Sequence, residues 1–276
     1  LNLGEADARV RWVKKLIKEK HVKLTSLLTI GALTTVLASP LAMAANMSPE
    51  QQKDVEKVVH DYLVNNPEVL VEASQALQQK QQQNLQEQAK SAISENAAAL
   101  FSGKYAIAGN PKGNVTMVEF FDYQCIHCKK MMPIIDALVK NDMNLRVIYK
   151  EFPIFGKGSE MASQVALAAA MQGKYQQMHD ALLKLEPRLD DKLVMDTAKS
   201  IGLDMTKLQK DMASKVVADE LDANRQLAEK IHLMGTPAFI IAATPAGQFK
   251  ANSVPAFIPG AASQEALQDL IKKAGK

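Results

Sequence analysis

Hydrophobic positions recur at helical spacing through the first third of the chain and gather into short continuous blocks further on. Ser48-Pro49-Glu50 combines an N-cap hydroxyl, a proline at the first helical position and an acid in the first turn. After it, Val55, Val58, Val59, Tyr62 and Leu63 fall on one helical face. Asn66-Pro67-Glu68 repeats the start signal. Apolar or small residues at Leu70, Ala73, Leu77, Leu85, Ala89, Ala92 and Ile93 then carry a second helix to about Leu100, through the Gln-rich tract Gln78–Gln83. At 1.5 Å per residue, about 34 residues make a rod of roughly 50 Å. A rod apolar on one stripe and polar elsewhere cannot bury that stripe against itself. Either it lies across the body of its own chain or it pairs with another copy, and the second reading is preferred.

Phe101–Pro111, with Gly103, Gly109 and Pro111, reads as a linker. Beyond it the pattern changes to blocks. Val115–Phe121 and Leu145–Phe152 read as buried strands, with a helix over Lys129–Val139 between them. Gly158 to Lys230 is helix-like throughout, with breaks near Gly173, Pro187 and Gly202. Pro237–Ala243 is a third strand, part of Phe249–Ile258 a fourth, and Ser263–Lys273 a closing helix. The order is β-α-β, a helical insertion over about 158–230, then β-β-α. The expected class is α/β, with an N-terminal helical association segment over 45–100 and a body over 101–276.

Charge changes the picture at one end only. Residues 1–44 hold seven Lys/Arg and three acids, a net +4, whereas the remaining 232 residues carry 26 basic and 27 acidic groups. A nucleic-acid binder would need a basic face on its folded part, so none is expected. Leu24–Leu41 is apolar and uncharged, follows basic residues and precedes Ala42-Met43-Ala44. That order is a cleavable export signal over residues 1–44. A membrane anchor competes, since about 18 apolar residues can just span a bilayer, but the small residues and the polar sequence after them favour cleavage. The basic lead is long for such a signal, so translation is expected to start at or near Val22, with residues 1–21 a start-site artefact.

The chain has two cysteines, in Cys125-Ile126-His127-Cys128. As a zinc half-site the motif lacks a second pair, and His60, His179 and His232 show no ligand spacing. As a structural staple it would close so short a ring that it constrains almost no unfolded-state entropy. As a redox pair it fits, because a strand-to-helix junction puts the first sulfur at a helix N-terminus, where free N–H groups and the helix dipole favour a thiolate. Cys125 is then the exposed nucleophile, Cys128 the buried partner that resolves its adducts. His127, a donor or partial positive charge beside the sulfur, strengthens the thiolate and makes the disulfide form more oxidising.

Val118-Glu119-Phe120-Phe121-Asp122-Tyr123-Gln124-Cys125-Ile126-His127-Cys128 resembles the active-site strand and helix of the DsbA family of periplasmic thiol–disulfide oxidoreductases. Phe152-Pro153-Ile154, Met161–Met171, Gly235-Thr236-Pro237-Ala238-Phe239 and Pro259-Gly260-Ala261 are similar to family segments in the same order. The 45–100 extension resembles that of relatives that oligomerise through N-terminal helices, including outer-membrane-antigen-type homologues. The resemblance implies a thioredoxin-like fold, no metal or organic cofactor, and unfolded or misfolded exported proteins as substrates. It also implies a membrane redox partner and a periplasmic or outer-membrane-associated location, and a homodimer is expected because two-fold association is the commonest. By position, Thr236-Pro237 matches the substrate-binding cis-proline loop, and Glu119 the buried acid that assists the inner cysteine. Lys150 is a candidate partner for Glu119. Ile-His rather than Pro-His between the cysteines, and Thr rather than Val before Pro237, leave the balance of oxidase and isomerase open. A rival reading keeps the pair reduced as an isomerase or reductase, and another makes the chain a chaperone or surface protein. On this reading a chain beginning near Phe101 holds the whole catalytic body.

Overall fold

The computed structural model describes residues 47–276, apart from Pro187, Ala251 and Asn252. The expected export signal and start site lie outside the described residues. The chain divides into two compact units, one ending at Pro67 and the other running from Glu68 to Lys276.

In the first unit, helix α1 (Pro49–Asn65) starts where the sequence indicated. Ser48 Oγ accepts from the Gln51 N–H at 3.2 Å, and Gln51 Oε1 accepts from the Ser48 N–H at 2.9 Å, closing a capping box. None of its 17 residues is buried.

In the second unit, helix α2 (Glu68–Glu95) stops short of the expected Leu100. Asn96 turns its side-chain amide back onto the Ala92 carbonyl at 2.8 Å, and one further turn, α3 (Ala97–Leu100), follows. The break swings Ala97, Leu100 and Phe101 inward, where with Ile93 they join Val118, Phe120 and Ile148 in a core. The end of the expected association segment is therefore part of the body's own interior.

Five strands follow in the order β1-β3-β2-β4-β5. The central β2 (Val115–Phe121) and β3 (Leu145–Glu151) run parallel and are buried at every residue, so both faces are covered and the polar Thr116, Glu119, Arg146, Lys150 and Glu151 are carried inside with the apolar residues. The expected linker hides β1 (Ile107–Gly109), which pairs antiparallel with β3. Three residues ending in glycine carry too little alternation to register as a strand. β4 (Ala238–Ala243) and β5 (Ala256–Ile258) complete the antiparallel side.

Between β2 and β3 lies α4 (Ile126–Asn141), longer at both ends than predicted. Pro133 sits in its interior and denies the Lys129 carbonyl its helical partner. The insertion is five helices: α5 (Lys157–Ala170), α6 (Tyr175–Lys184), α7 (Asp191–Ser200), α8 (Met205–Met212) and α9 (Lys215–Lys230). Its breaks include the expected glycines, Gly173 and Gly202, both at positive φ. One break was not foreseen, at Ser214, whose hydroxyl caps α9. Helix α10 (Gln264–Ala274) closes the chain with Ser263 as N-cap.

Glu119 lies opposite Tyr149 across the β2–β3 ladder, and Phe120 opposite Lys150. Successive side chains alternate faces, so that one-residue offset puts Glu119 and Lys150 on opposite sides of the sheet. The candidate pair does not form. Lys150 instead reaches the Ser102 carbonyl at 3.4 Å and lies 3.9 Å from Glu220.

Candidate redox site

Strand β2 ends at Phe121, a three-residue turn follows, and Cys125 takes the N-cap position of α4 with φ −73° and ψ 114°. The Cys125 N–H closes the turn onto the Asp122 carbonyl at 3.1 Å. The two cysteines are unbonded and almost wholly covered, so Cys125 is not the exposed sulfur the sequence suggested: the packing of the Thr236–Pro237 segment against it covers it. Across from them the Thr236–Pro237 bond is cis, and the Cys125 thiol donates to the Thr236 carbonyl at 3.3 Å. Two segments 111 residues apart thus meet at one sulfur.

The two sulfurs are pushed in opposite directions. Donation from the Cys128 thiol is the largest influence on Cys125, and it brings Cys125 down to about 5 against the opposing effect of burial. The Thr236 hydroxyl helps; it is buried without a hydrogen-bond partner among the described residues and is positioned to donate once the sulfur is ionised. The backbone N–H groups of His127 and Cys128 also face the sulfur and lower it, although neither closes a capping hydrogen bond. Cys128 is driven far up, first by burial, then by its donation to Cys125 and by the nearby Glu119. Such a pair holds one thiolate at neutral pH, and it is the outer sulfur.

The model of the DSBA-like thioredoxin domain matches residues 116–272. The chain belongs to that family. Its fold is thioredoxin-like. Residues 51–84 match a second model, the N-terminal domain of copper resistance protein ScsC. The structure of Salmonella enterica Typhimurium BcfH is 33% identical, with 82% of this chain and 97% of that one covered and a TM-score of 0.70. The thiol-disulfide exchange protein alpha-DsbA2 from Wolbachia pipientis is 27% identical, covering 67% and 95% with a TM-score of 0.59. Thiol:disulfide interchange protein DsbA from Bordetella parapertussis is 31% identical over 134 residues, 47% of this chain and 64% of that protein. A similar stretch matches Na(+)/H(+) antiporter NhaA 3 from Salinispora tropica at 26% identity over only 21% of its length. The chain thus spans less than two thirds of these curated relatives.

Among the sequence-derived candidates, this DsbA-like body brings Cys125, Cys128, Thr236 and Pro237 to one place. Glu119 joins them from beneath. It is buried, and desolvation first, then the charges of Cys125 and Glu151, hold its carboxyl well above the usual range. The imidazole of His127 is exposed and makes no hydrogen bond among the described residues; what the structure brings to Cys125 is that residue's N–H.

Two residues carry more of the site than sequence reasoning gave them. Asp122 Oδ1 accepts from the Gln124 N–H at 2.7 Å and the Ser159 hydroxyl at 2.6 Å, while Oδ2 accepts from the N–H groups of Ile154 and Phe155. One carboxylate therefore pins the cysteine turn to the loop after β3 and to α5. Gln124 spans the same gap, accepting from the Leu189 N–H at 3.0 Å and donating to the Phe155 carbonyl at 3.1 Å. An Asp two residues before a polar turn residue is a local turn signal, but its long-range partners leave no mark in the sequence.

Proposed function

We propose that the chain exchanges disulfides with exported proteins in the periplasm through Cys125 and Cys128. The observation that carries this reading is the split between the two sulfurs, an outer thiolate at about 5 and an inner thiol far above its ordinary value, beside the Thr236–Pro237 loop. With the pair oxidised, a substrate thiolate attacks the Cys125 sulfur and the electron pair of the Cys125–Cys128 bond leaves on Cys128, which takes up a proton. A second substrate thiolate then attacks the substrate sulfur of the mixed disulfide and expels the stable Cys125 thiolate. Two electrons pass to the enzyme and the substrate gains one disulfide, so a membrane-bound oxidant must accept those electrons for turnover. With the pair reduced, Cys125 attacks a substrate disulfide, and a freed substrate thiolate can expel it again, giving isomerisation without net electron flow. Glu119, close to both sulfurs, is suited to hold the proton that Cys128 gains and loses.

Export rests on the basic lead, the apolar run Leu24–Leu41 and Ala42-Met43-Ala44. Self-association rests on α1, where Val58 and Tyr62 are more than half exposed and nothing is buried. A homodimer is the smallest closed form such a stripe can build.

The experiment is adduct trapping. Cys128→Ala is expected to accumulate mixed disulfides with exported proteins, and Cys125→Ala to form none and to lose exchange. Adducts on Cys125→Ala alone would reverse the assignment. The redox state of Cys125 in cells separates the two modes, oxidised for an oxidase and reduced for an isomerase.

A further inference from the structure

Beyond the cysteine pair, a groove of about 500 Å³ opens at Thr236, and its far wall is not part of the thioredoxin-like body. Leu85, Gln86 and Ala89 of α2 form that wall, facing Met234 and Pro237 of the cis-proline loop and Phe257 of β5. We propose that α2 is a substrate-selecting element. It forms one side of the channel in which a substrate chain lies while joined to Cys125, and it favours uncharged, apolar residues beside the substrate cysteine. The proposal rests on the thiol–disulfide exchange put forward above and adds to it a reader of the substrate.

The occupant follows from continuity. Thr236 lines the groove and its carbonyl touches the Cys125 sulfur, so a chain bonded to that sulfur already lies at the groove's end. The covalent link holds the rest of the chain there at high effective concentration, and weak contacts then suffice to discriminate. The lining explains the preference. Among the described residues it contains no Lys, Arg, Asp or Glu, with His232 its one ionisable group. Seating a charged residue there removes water without supplying a partner. Leu85 is 52% exposed and Met234 95% exposed, apolar surface that a bound chain would cover. Ala89, one turn on from Leu85, is buried, so α2 abuts the body here and the wall is held in place. At Gly235 and Gly260 an added Cβ would meet nothing within 4 Å, which leaves bare backbone open to an approaching strand.

Gln86 provides the test, because it is exposed, polar and outside the apolar stripe. Three disulfide-linked peptides, identical except for Leu, Lys or Asp beside the cysteine, are reduced by the full chain with both cysteines reduced. Each rate is taken relative to that of 2-hydroxyethyl disulfide with the same variant. In each reaction the enzyme dithiol becomes the disulfide and the peptide disulfide becomes two thiols. The wild type is expected to favour the Leu peptide. Gln86→Glu should raise the relative rate for the Lys peptide and lower it for the Asp peptide, each about three- to tenfold, and Gln86→Lys should do the reverse. Both effects should shrink at high salt, as screening requires. If exchange proceeds and the ranking ignores the charge at position 86 in both variants, α2 is no wall and the proposal falls alone. If the wild type reduces neither the peptides nor the small disulfide, the exchange reading itself fails and the proposal falls with it.

Discussion

At Cys125 several neighbours act on a single sulfur, and burial is the one that opposes the thiolate. Donors oppose burial from three sides: the Cys128 thiol, the Thr236 hydroxyl and the first N–H groups of α4. Hydrogen bonds to charged groups are worth roughly 1.5–3 kcal/mol, or about one to two pKa units. Thr236→Val keeps the shape of the side chain and removes the donor. It is therefore expected to raise the Cys125 midpoint by about one unit, read from thiolate absorbance against pH. His127→Ser retains the N–H and deletes only the imidazole, so a rise in that variant measures the side chain, and an unchanged midpoint removes it from the mechanism. The sign of the pH dependence is fixed. An ionisation depressed in the fold stabilises the reduced protein fully above the unfolded thiol value of about 8.5, and that stabilisation is lost as pH falls through about 5. Reduced protein should melt above oxidised protein at pH 7, and the gap should narrow by pH 4.5.

Among the secondary elements, the end of β3 shows how the helical insertion is fastened to the redox turn. Glu151 accepts from the hydroxyls of Tyr123 at 2.9 Å, Tyr175 at 2.8 Å and Ser163 at 2.8 Å, joining the turn before Cys125 to α6 and α5. His179, buried and held neutral down to about 3 by desolvation, shares the Tyr123 hydroxyl at 3.2 Å. Burial outweighs the three donors and pushes Glu151 up to about 8. A carboxyl raised in the fold supplies stability below its unfolded pKa, which is lost as pH climbs through the folded value. Glu151→Gln should therefore flatten the fall in stability between the ordinary carboxylate value and about pH 8, measured by urea unfolding. Glu151→Ala should cost about 3 kcal/mol at pH 6, because it strands buried hydroxyls. None of this network was legible beforehand. Tyr123, Glu151, Ser163, Tyr175 and His179 follow no spacing rule, and only the packing of the insertion on the sheet brings them together. What was legible had a local cause. β-Branched and aromatic residues marked β2, an apolar run marked β4, Ser48 and Ser263 marked helix starts, and Cys125 sat where a strand gives way to a helix. Lys150 failed as a partner for Glu119 because strand register decides faces, and a single strand's sequence does not state its register. The break at Asn96 was missed because alanine-rich sequence on both sides suits a helix equally well.

For the whole molecule, the question is where the catalytic body begins. The family resemblance implies a body complete from about Phe101, yet Ile93, Ala97 and Leu100 lie in its core against Val118 and Ile148. Burial of a large aliphatic side chain is worth about 1.5–3 kcal/mol, so a chain beginning at Phe101 loses several kcal/mol and leaves Phe120 and Ile148 partly uncovered. A cut at Asn84 spares those contacts, keeps Leu85, Gln86 and Ala89, and removes α1 together with the more N-terminal stripe residues of α2, Leu70, Ala73 and Leu77. The two truncations are expected to behave differently. The chain from Asn84 should melt close to the full-length protein, run as a monomer by light scattering and still oxidise dithiols. It should also lose the refolding of a scrambled-disulfide substrate, if that activity needs two active sites held on one frame. The chain from Phe101 should melt well below both. Equal melting temperatures for the two would mean that α3 covers the sheet without supporting it. A full-length protein already monomeric would leave the exposed faces of α1 and α2 without the partner proposed for them.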